Sequence, residues 1–327
     1  MSEYVPPYKI TPTITSLIEQ IGEALGVISS HADAEDLRLR RIHRIQTIRG
    51  SLAIEGNTLS EEQISTILDG KPVIAPPREV QEVRNAIKAY DEFKNWNPVR
   101  QSDLLRAHET LMLGLMDAPG HYRTGDVGVG GTEEIVHVAP PAGRVPVLMA
   151  DLLGWLGKTR EHALIKSCVF HYEFEFIHPF DDGNGRMGRL WQTLILSQWN
   201  PLFAQIPVEN MIYACQQNYY TAIAESTKAA ESTLFVEFML QVIEKALAKN
   251  DTVNGTLNGT VNFEAMKTPE AVLACIAADN NVTRKEMADK IGKSVRSVAR
   301  AIKELQESGR LRRVGSDKTG HWEVVNE

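Results

Sequence analysis

A mainly α-helical chain is what this sequence predicts: a helical bundle interrupted by one small β-hairpin, followed by a C-terminal domain of short helices and a second hairpin. Three observations lead there. Apolar residues recur at helical spacing through most of the stretch from Thr13 to Trp199, with capping residues at several segment starts. Within that stretch one segment, Asp126 to Val138, reads as paired strands around Gly130-Gly131. Then the run from Lys249 to Asn262, a small repeat of Asn-Gly and Thr, is turn-forming and poor in charge, and separates the bundle from a basic tail.

The elements follow in order. Thr13 to Ser30 is amphipathic, and Ala34 to Gly50 is a long charged helix whose apolar stripe of Ile42, Ile45, Ile48 and Leu52 runs up to Gly56-Asn57, a C-terminal stop. Ser60 is an N-cap ahead of Glu61, Glu62 and Gln63. Arg78 to Trp96 is a helix closed by Asn97-Pro98, and 100–117 is another, with Ser102 as its cap. Ile165 to Ile177 and Leu190 to Trp199 are apolar helices flanking a polar turn. The expected divisions are 1–97, a helical N-terminal region; 98–248, a core; 249–267, a linker; and 268–327, a C-terminal domain.

Composition sets the outer limits. A chain of 327 residues has room for two or three domains, and 43% apolar content is ordinary for a globular protein. No apolar run approaches the roughly 20 residues that span a bilayer, and Met1 to Tyr8 lacks a signal-peptide core. Cys168, Cys215 and Cys275 have no paired spacing, which speaks against a disulfide framework or a zinc site and suits a reducing, cytoplasmic setting. The net charge of −7 disfavours nucleic-acid binding by the chain as a whole.

The chemistry concentrates in the twelve residues His178-Pro179-Phe180-Asp181-Asp182-Gly183-Asn184-Gly185-Arg186-Met187-Gly188-Arg189. A turn that opens a helix with Gly-Asn-Gly-Arg aims backbone N–H groups at one point, where the helix dipole favours an anion. Arg186 and Arg189 add fixed charge suited to phosphate oxygens. Asp182 is the hard oxygen ligand that Mg²⁺ uses beside phosphates, and His178 can accept a proton near neutral pH. Together these make a nucleotide-phosphate site with its own base. His171, Glu175 and His178, with Asp181 and Asp182, could also be read as transition-metal ligands, but the stretch has no His-Glu-x-x-His pattern and its aromatics suit a buried helix.

This stretch resembles the signature of the Fic family, His-x-Phe-x-Asp/Glu-Gly-Asn-Gly-Arg-x-x-Arg, at every fixed position. The resemblance implies a Fic-type helical bundle that transfers AMP from ATP, with Mg²⁺, to a Ser, Thr or Tyr hydroxyl of a target protein, the chain itself included among candidate targets. His178 would be the general base. Phe180 would be buried and steady the loop, and Asp182 would hold Mg²⁺. Gly183, Asn184 and Gly185 would form the anion hole, Arg186 would contact the phosphates, and Arg189 would grip the terminal phosphate. A related branch with a lysine in this loop transfers the γ-phosphate, so the two glycines point to adenylyl transfer.

Ser51 and Glu55, four residues apart on one helix face, resemble the family's inhibitory pattern. It implies that Glu55 pairs with Arg189 and keeps the γ-phosphate from settling. The same carboxylate could position water for the reverse reaction, removal of AMP. The hairpin falls where relatives carry a flap that clamps the target by strand pairing, with Val129 and Val136 as gripping residues; a plain surface hairpin is the alternative. His121-Tyr122-Arg123 resembles a recurrent segment whose simpler role is to hold the flap base. Asn218 and Tyr219 fall where relatives line the adenine pocket, where an aromatic could stack or simply pack. The resemblance also allows a homodimer, although no interface is legible.

The tail resembles a winged helix: Pro269 to Ala278, then Arg284 to Ile291 capped by Thr283, then Val295 to Ser308 capped by Ser294, then two strands. Residues 284–318 carry eleven Lys or Arg against five Asp or Glu. Arg296 and Arg300 on the third helix and Lys318 in the wing point to DNA or to a protein partner. A DNA-binding regulator with a nucleotide-sensing core is therefore the rival to the enzyme, with the intact His178 against it.

Overall fold

A computed structural model describes residues 4–30, 37–130, 135–257, 267–278, 282–314 and 321–324. It divides into two units, Met1–Leu247 and Ala248–Glu327.

At the centre of the first unit lie α7 (Ala163–Ile177) and α8 (Asn184–Trp199), packed together along their length. Both are buried on nearly every side: Phe170, Phe174 and Leu164 on α7 and Leu190, Trp191 and Leu194 on α8 are almost wholly removed from solvent. That explains the lack of an amphipathic stripe on α7, since a helix surrounded by others has no polar face to spare. Each such side chain contributes about 1.5–3 kcal/mol on burial, so this pair is the rigid element on which the site is built. Around it stand α1 (Pro12–Ser30), α5 (Gln101–Met112), α6 (Val145–Lys158), α10 (Gln216–Ala229) and α11 (Thr233–Leu257).

A second, smaller core joins α2 (Leu37–Ile54), α3 (Glu61–Leu68) and α4 (Pro77–Glu92) through Ile48, Leu52, Ile64 and Val83. Ser60 caps α3 in a full capping box with Gln63, as the sequence predicts. The expected cap at Ser102 is not used. Helix α5 begins at Gln101 without a side-chain cap, because Asp103 turns back to accept from the Asn97 N–H at 2.8 Å. It also stops at Met112, short of the expected 117, where Gly114 turns the chain at φ +71°. Among the described residues of this unit, the one sheet is the hairpin of β1 (Gly128–Gly130) and β2 (Ile135–Val138), antiparallel with an irregularity between Val129 and Gly130. Val129 and Val136 lie on its two strands; residues 131–134, at its turn, are outside the described residues.

The second unit is a winged-helix arrangement: α12 (Thr268–Ala278), α13 (Arg284–Ile291), α14 (Val295–Glu307), and the antiparallel pair β3 (Leu311–Val314) and β4 (His321–Val324). Thr283 and Ser294 cap α13 and α14, and Gly292 ends α13 in the left-handed conformation. Trp322, Leu311, Val298 and Ile302 fill its core. Helix α11 continues to Leu257, so the first half of the stretch expected to be a linker is helical; 258–266 lie outside the described residues, as does Lys318. No described helix is long and apolar enough to cross a membrane.

The N-terminal segment straps onto α7: the Tyr4 hydroxyl donates to Glu173 Oε2 at 2.8 Å, and the Ser232 N–H donates to the Pro7 carbonyl at 2.9 Å. Burial pushes the Glu173 carboxyl up from 4.5 to about 7. A raised carboxyl stabilises the fold fully below its unfolded value and loses that contribution as pH rises to the folded one. Glu173→Gln should therefore leave stability unchanged below pH 4.5 and raise it above pH 7 by about 1–3 kcal/mol, read as a shift in urea midpoint at the two pH values.

Candidate active site

Helix α7 ends at His178 because the next residue is proline, which disfavours helical backbone in the residue before it. His178 takes up φ +49°, in the left-handed region that a residue with a Cβ enters at a cost, while its N–H still closes the helix on the Phe174 carbonyl at 2.9 Å. Strain of this kind is held in place by its surroundings, and here the holding is extensive. The Arg123 side chain, buried, donates to the carbonyls of His178 (2.7 Å), Gly125 (2.8 Å) and Pro140, and its backbone N–H donates to the Pro179 carbonyl at 2.9 Å. One guanidinium thus ties the candidate base to both ends of the hairpin.

The loop between α7 and α8 is fixed from within. Asn184 spends its amide on the Phe180 backbone, accepting its N–H at 2.9 Å and donating to its carbonyl at 2.8 Å. Phe180 is buried and stacks on the His108 ring at 3.6 Å between centroids. His108 accepts the Gly120 N–H on Nδ1 at 2.8 Å, which leaves Nε2 protonated to donate to the Asp182 carbonyl at 2.9 Å. Burial pushes this histidine down to about 4, so it stays neutral. Gly183, at φ +84°, caps α8; a Cβ there would lie 2.7 Å from Met112 Sδ, so conformation and space both demand glycine.

The first-turn amides of α8, from Asn184 to Arg186, have no acceptor within the helix. Over them lies Glu55. Its carboxylate accepts from Arg189 Nη2 at 2.6 Å and passes so close to Gly185 that a Cβ there would lie 2.6 Å from Oε1. Arg189 also donates to the Ser51 carbonyl at 3.0 Å and approaches Ser51 Oγ at 3.5 Å. Its side chain is only 1% exposed; burial works against its charge, yet Glu55 above all holds its pKa above the ordinary value. So the structure brings Ser51, Glu55 and Arg189 together.

Asp182 is half-exposed. Its Oδ1 accepts the Gly183 N–H at 2.6 Å and Arg186 Nη2 at 3.2 Å, while Oδ2 faces Arg78 at 3.5 Å. No described group of three or more His, Cys, Asp or Glu could hold a metal by itself. One accessible carboxylate at a helix N-terminus does fit Mg²⁺ that takes its remaining ligands from phosphates and water. Arg186 is buried between Asp182 and Glu82, and its Nε and Nη1 have no hydrogen-bond partner. Such donors suit an added anion.

The two residues expected at the adenine pocket are placed unlike one another. Asn218 is exposed, but Tyr219 is buried, with its hydroxyl donating to His171 Nε2 at 3.0 Å and its ring among Phe235 and Phe238; it packs, with no face open for a base. Four contributors had no sequence signal of their own. His108 lies on the apolar side of a helix. Arg78 and Glu82 reach the loop from α4. Gln216, on α10, fastens the Ile54 carbonyl at 2.9 Å.

Comparison with known proteins agrees with the geometry. Residues 98–196 match the Fic/DOC family, and residues 267–312 match the winged helix-turn-helix DNA-binding family. A crystal structure of a Fic family protein from Desulfovibrio desulfuricans G20 is 43% identical, covers 99% of both chains and superposes with a TM-score of 0.73. A Fic domain containing signaling protein from Bacteroides thetaiotaomicron, 20% identical over 74% of this chain and 97% of its own, has a TM-score of 0.60 and shares the fold. The protein adenylyltransferase Fic of Culex quinquefasciatus is 30% identical over 70% of this chain and 46% of its own length. The chain thus spans about half the length of the curated relatives it matches.

Helix α2, which carries Ser51 and ends one residue before Glu55, lies against α9 (Val208–Ala214), and Gly50 makes that approach: a Cβ there would lie 2.5 Å from the Asn210 backbone nitrogen. Alanine is the better helix former by up to about 1 kcal/mol. Gly50→Ala should nonetheless destabilise the protein by about 1–3 kcal/mol, seen as a lower urea midpoint.

Proposed function

The chain belongs to the Fic family, and from that premise we propose that it is a protein adenylyltransferase, moving AMP from ATP to a Ser, Thr or Tyr hydroxyl of a target protein and restrained by its own Glu55. The hydroxyl oxygen attacks the α-phosphorus, His178 takes its proton, and the bond to the β-phosphate oxygen breaks to release pyrophosphate. Chemistry of this type depends on in-line placement and charge neutralisation. The first-turn amides of α8 and the open donors of Arg186 supply the neutralisation, and Arg189 receives the γ-phosphate. Asp182 would hold Mg²⁺, which when bound neutralises phosphate charge. The β1–β2 hairpin, whose strands pair only with each other among the described residues, offers an outer edge to an extended target segment, with Val129 and Val136 beside it.

The single observation that carries the restraint is the 2.6 Å pair of Glu55 and Arg189 over the opening turn of α8. A carboxylate there takes the cation that a γ-phosphate needs and fills the space beside Gly185. ATP would then bind with its triphosphate displaced from the in-line pose. In the reverse direction the same carboxylate could orient water for removal of AMP.

A second activity is favoured by the C-terminal unit. Its match to winged helix-turn-helix DNA-binding domains and the exposed Arg296 and Arg300 on α14 support contact with nucleic acid.

Incubation with Mg²⁺ and ATP labelled at the α position should mark protein weakly in the wild type, at least several-fold more in Glu55→Gly, and not at all in Glu55→Gly/His178→Ala. Label arriving from the γ position instead would replace adenylylation with phosphorylation, and no label in Glu55→Gly from either position would remove the enzyme reading in favour of a nucleotide-sensing regulator. In gel shifts on duplex DNA at low salt, retardation should be lost in Arg296→Glu/Arg300→Glu; no retardation by the wild type would make the unit a protein-docking domain.

A further inference from the structure

Glu55 follows Ile54, the last residue of α2, at a place where a helix frays unless its end is fastened. The end follows a recurring stop. The Gly56 N–H donates to the Ala53 carbonyl at 3.0 Å and the Asn57 N–H to the Leu52 carbonyl at 3.1 Å, with Gly56 at φ +90°. Such a stop commonly carries an apolar residue two places after the cap, packed back on the helix. Here that place holds Asn57, which is buried all the same, at 8% exposure. A buried amide is tolerated only where its polar groups are matched, so the partners of Asn57 tell what the position is for.

Those partners lie mainly on α4. Asn57 Nδ2 donates to Glu82 Oε2 at 2.8 Å and to the Glu79 carbonyl at 3.2 Å, while its Oδ1 accepts the Leu59 N–H at 3.1 Å. Thr58 adds two bonds, its N–H and its hydroxyl both donating to Glu79 Oε2, at 2.6 and 2.9 Å. Glu82 is itself held: its Oε1 faces Arg78 at 3.5 Å and Arg186 at 3.9 Å, which leaves Oε2 for the amide. By contrast, a Cβ added at Gly56 would meet open space. The turn that bears Glu55 is thus fastened before it, at Ile54 through Gln216, and after it, at Asn57 and Thr58 through α4.

We propose that Asn57 is the latch of the restraint, a positioning residue that fastens the turn after α2 to α4 so that the Glu55 carboxylate stays on Arg189. This rests on the adenylyl-transfer reading above and on its restraint by Glu55. A glutamate side chain gives up rotamer freedom to hold one position, and its rival for Arg189 is a phosphate. With the backbone fixed on either side, only the side chain has to be ordered. Released at Asn57, the backbone of the turn gains freedom as well, and the seated state of Glu55 loses ground to the unseated one. The side-chain bonds of Asn57 go to α4 and to Leu59, none to His178, Arg186 or Arg189. Its loss therefore acts only while Glu55 is there to be held.

The test labels four proteins with Mg²⁺ and ATP carrying the label at the α position: the wild type, Asn57→Ala, Glu55→Gly and Glu55→Gly/Asn57→Ala. Asn57→Ala should raise labelling about two- to fivefold over the wild type, short of Glu55→Gly, and the double variant should label as Glu55→Gly does. If Asn57→Ala does not fold, Glu79→Ala, which cuts both Thr58 bonds from the other side, should show the same pattern. A fall in both backgrounds would make Asn57 a packing residue, and an equal rise in both would place it in the chemistry instead of the restraint. No rise in the wild-type background, with Glu55→Gly labelled strongly, would overturn the latch and leave the restraint standing. If Glu55→Gly labels no more than the wild type, the restraint fails first and takes the latch with it.

Discussion

A guanidinium sealed inside a helical bundle has to be given an anion, and the site is arranged around that need at Arg189. Its side chain is almost wholly removed from water, so its position on α8 dictates what stands opposite. Helix α2 must arrive with Ser51 and Glu55 facing inward. Gly50 must be bare so that α2 can lie against α9, and Gln216 must hold the far end of α2 at Ile54. The lesser core of Ile48, Leu52, Ile64 and Val83 supports that approach from behind. Packing and electrostatics are in this way the same constraint, because a helix displaced by an ångström or two would leave the cation unpaired.

The loop between α7 and α8 is held by a different device, hydrogen bonds to backbone carbonyls and amides. Arg123 collects the carbonyls of His178, Gly125 and Pro140, Asn184 takes both polar groups of Phe180, and His108 takes the carbonyl of Asp182. Three side chains thereby define the path of the loop while leaving Arg186, Asp182 and the opening amides of α8 facing the site. Preorganisation of this kind removes the cost of ordering the loop when substrate binds.

Much of this was legible in the chain. Helix order, the hairpin, and the caps at Ser60, Thr283 and Ser294 follow from periodicity and local chemistry, and the segment from His178 to Arg189 carries its own pattern. The parts that were not legible share one cause: their function depends on contacts distant in sequence. His108 sits among Leu104, Leu111 and Met112 on an apolar face, where it reads as core. Glu82 and Arg78 look like charges on a surface helix, yet they meet Asp182 and Arg186 about a hundred residues away. Tyr219 was ambiguous because an aromatic packs and stacks equally well on paper, and only its bond to His171 decides. Ser102 misled for a local reason, since the nearby Asp103 accepts the Asn97 N–H and the helix starts earlier.

The seat that receives Glu55 is made of groups with other duties: the Arg189 guanidinium, which Ser51 also holds, and the bare face of Gly185 at the opening turn of α8. A phosphate site would keep those groups whether or not Glu55 is present, whereas the carboxylate of Glu55 can be lost by changing one codon. On the proposed reading, restraint and chemistry are consequently unequal in heritability. A lineage can shed the former in one step and regain it in another, with the receiving surface preserved throughout, so a constitutively active descendant would still carry a vacant seat for the residue it had discarded.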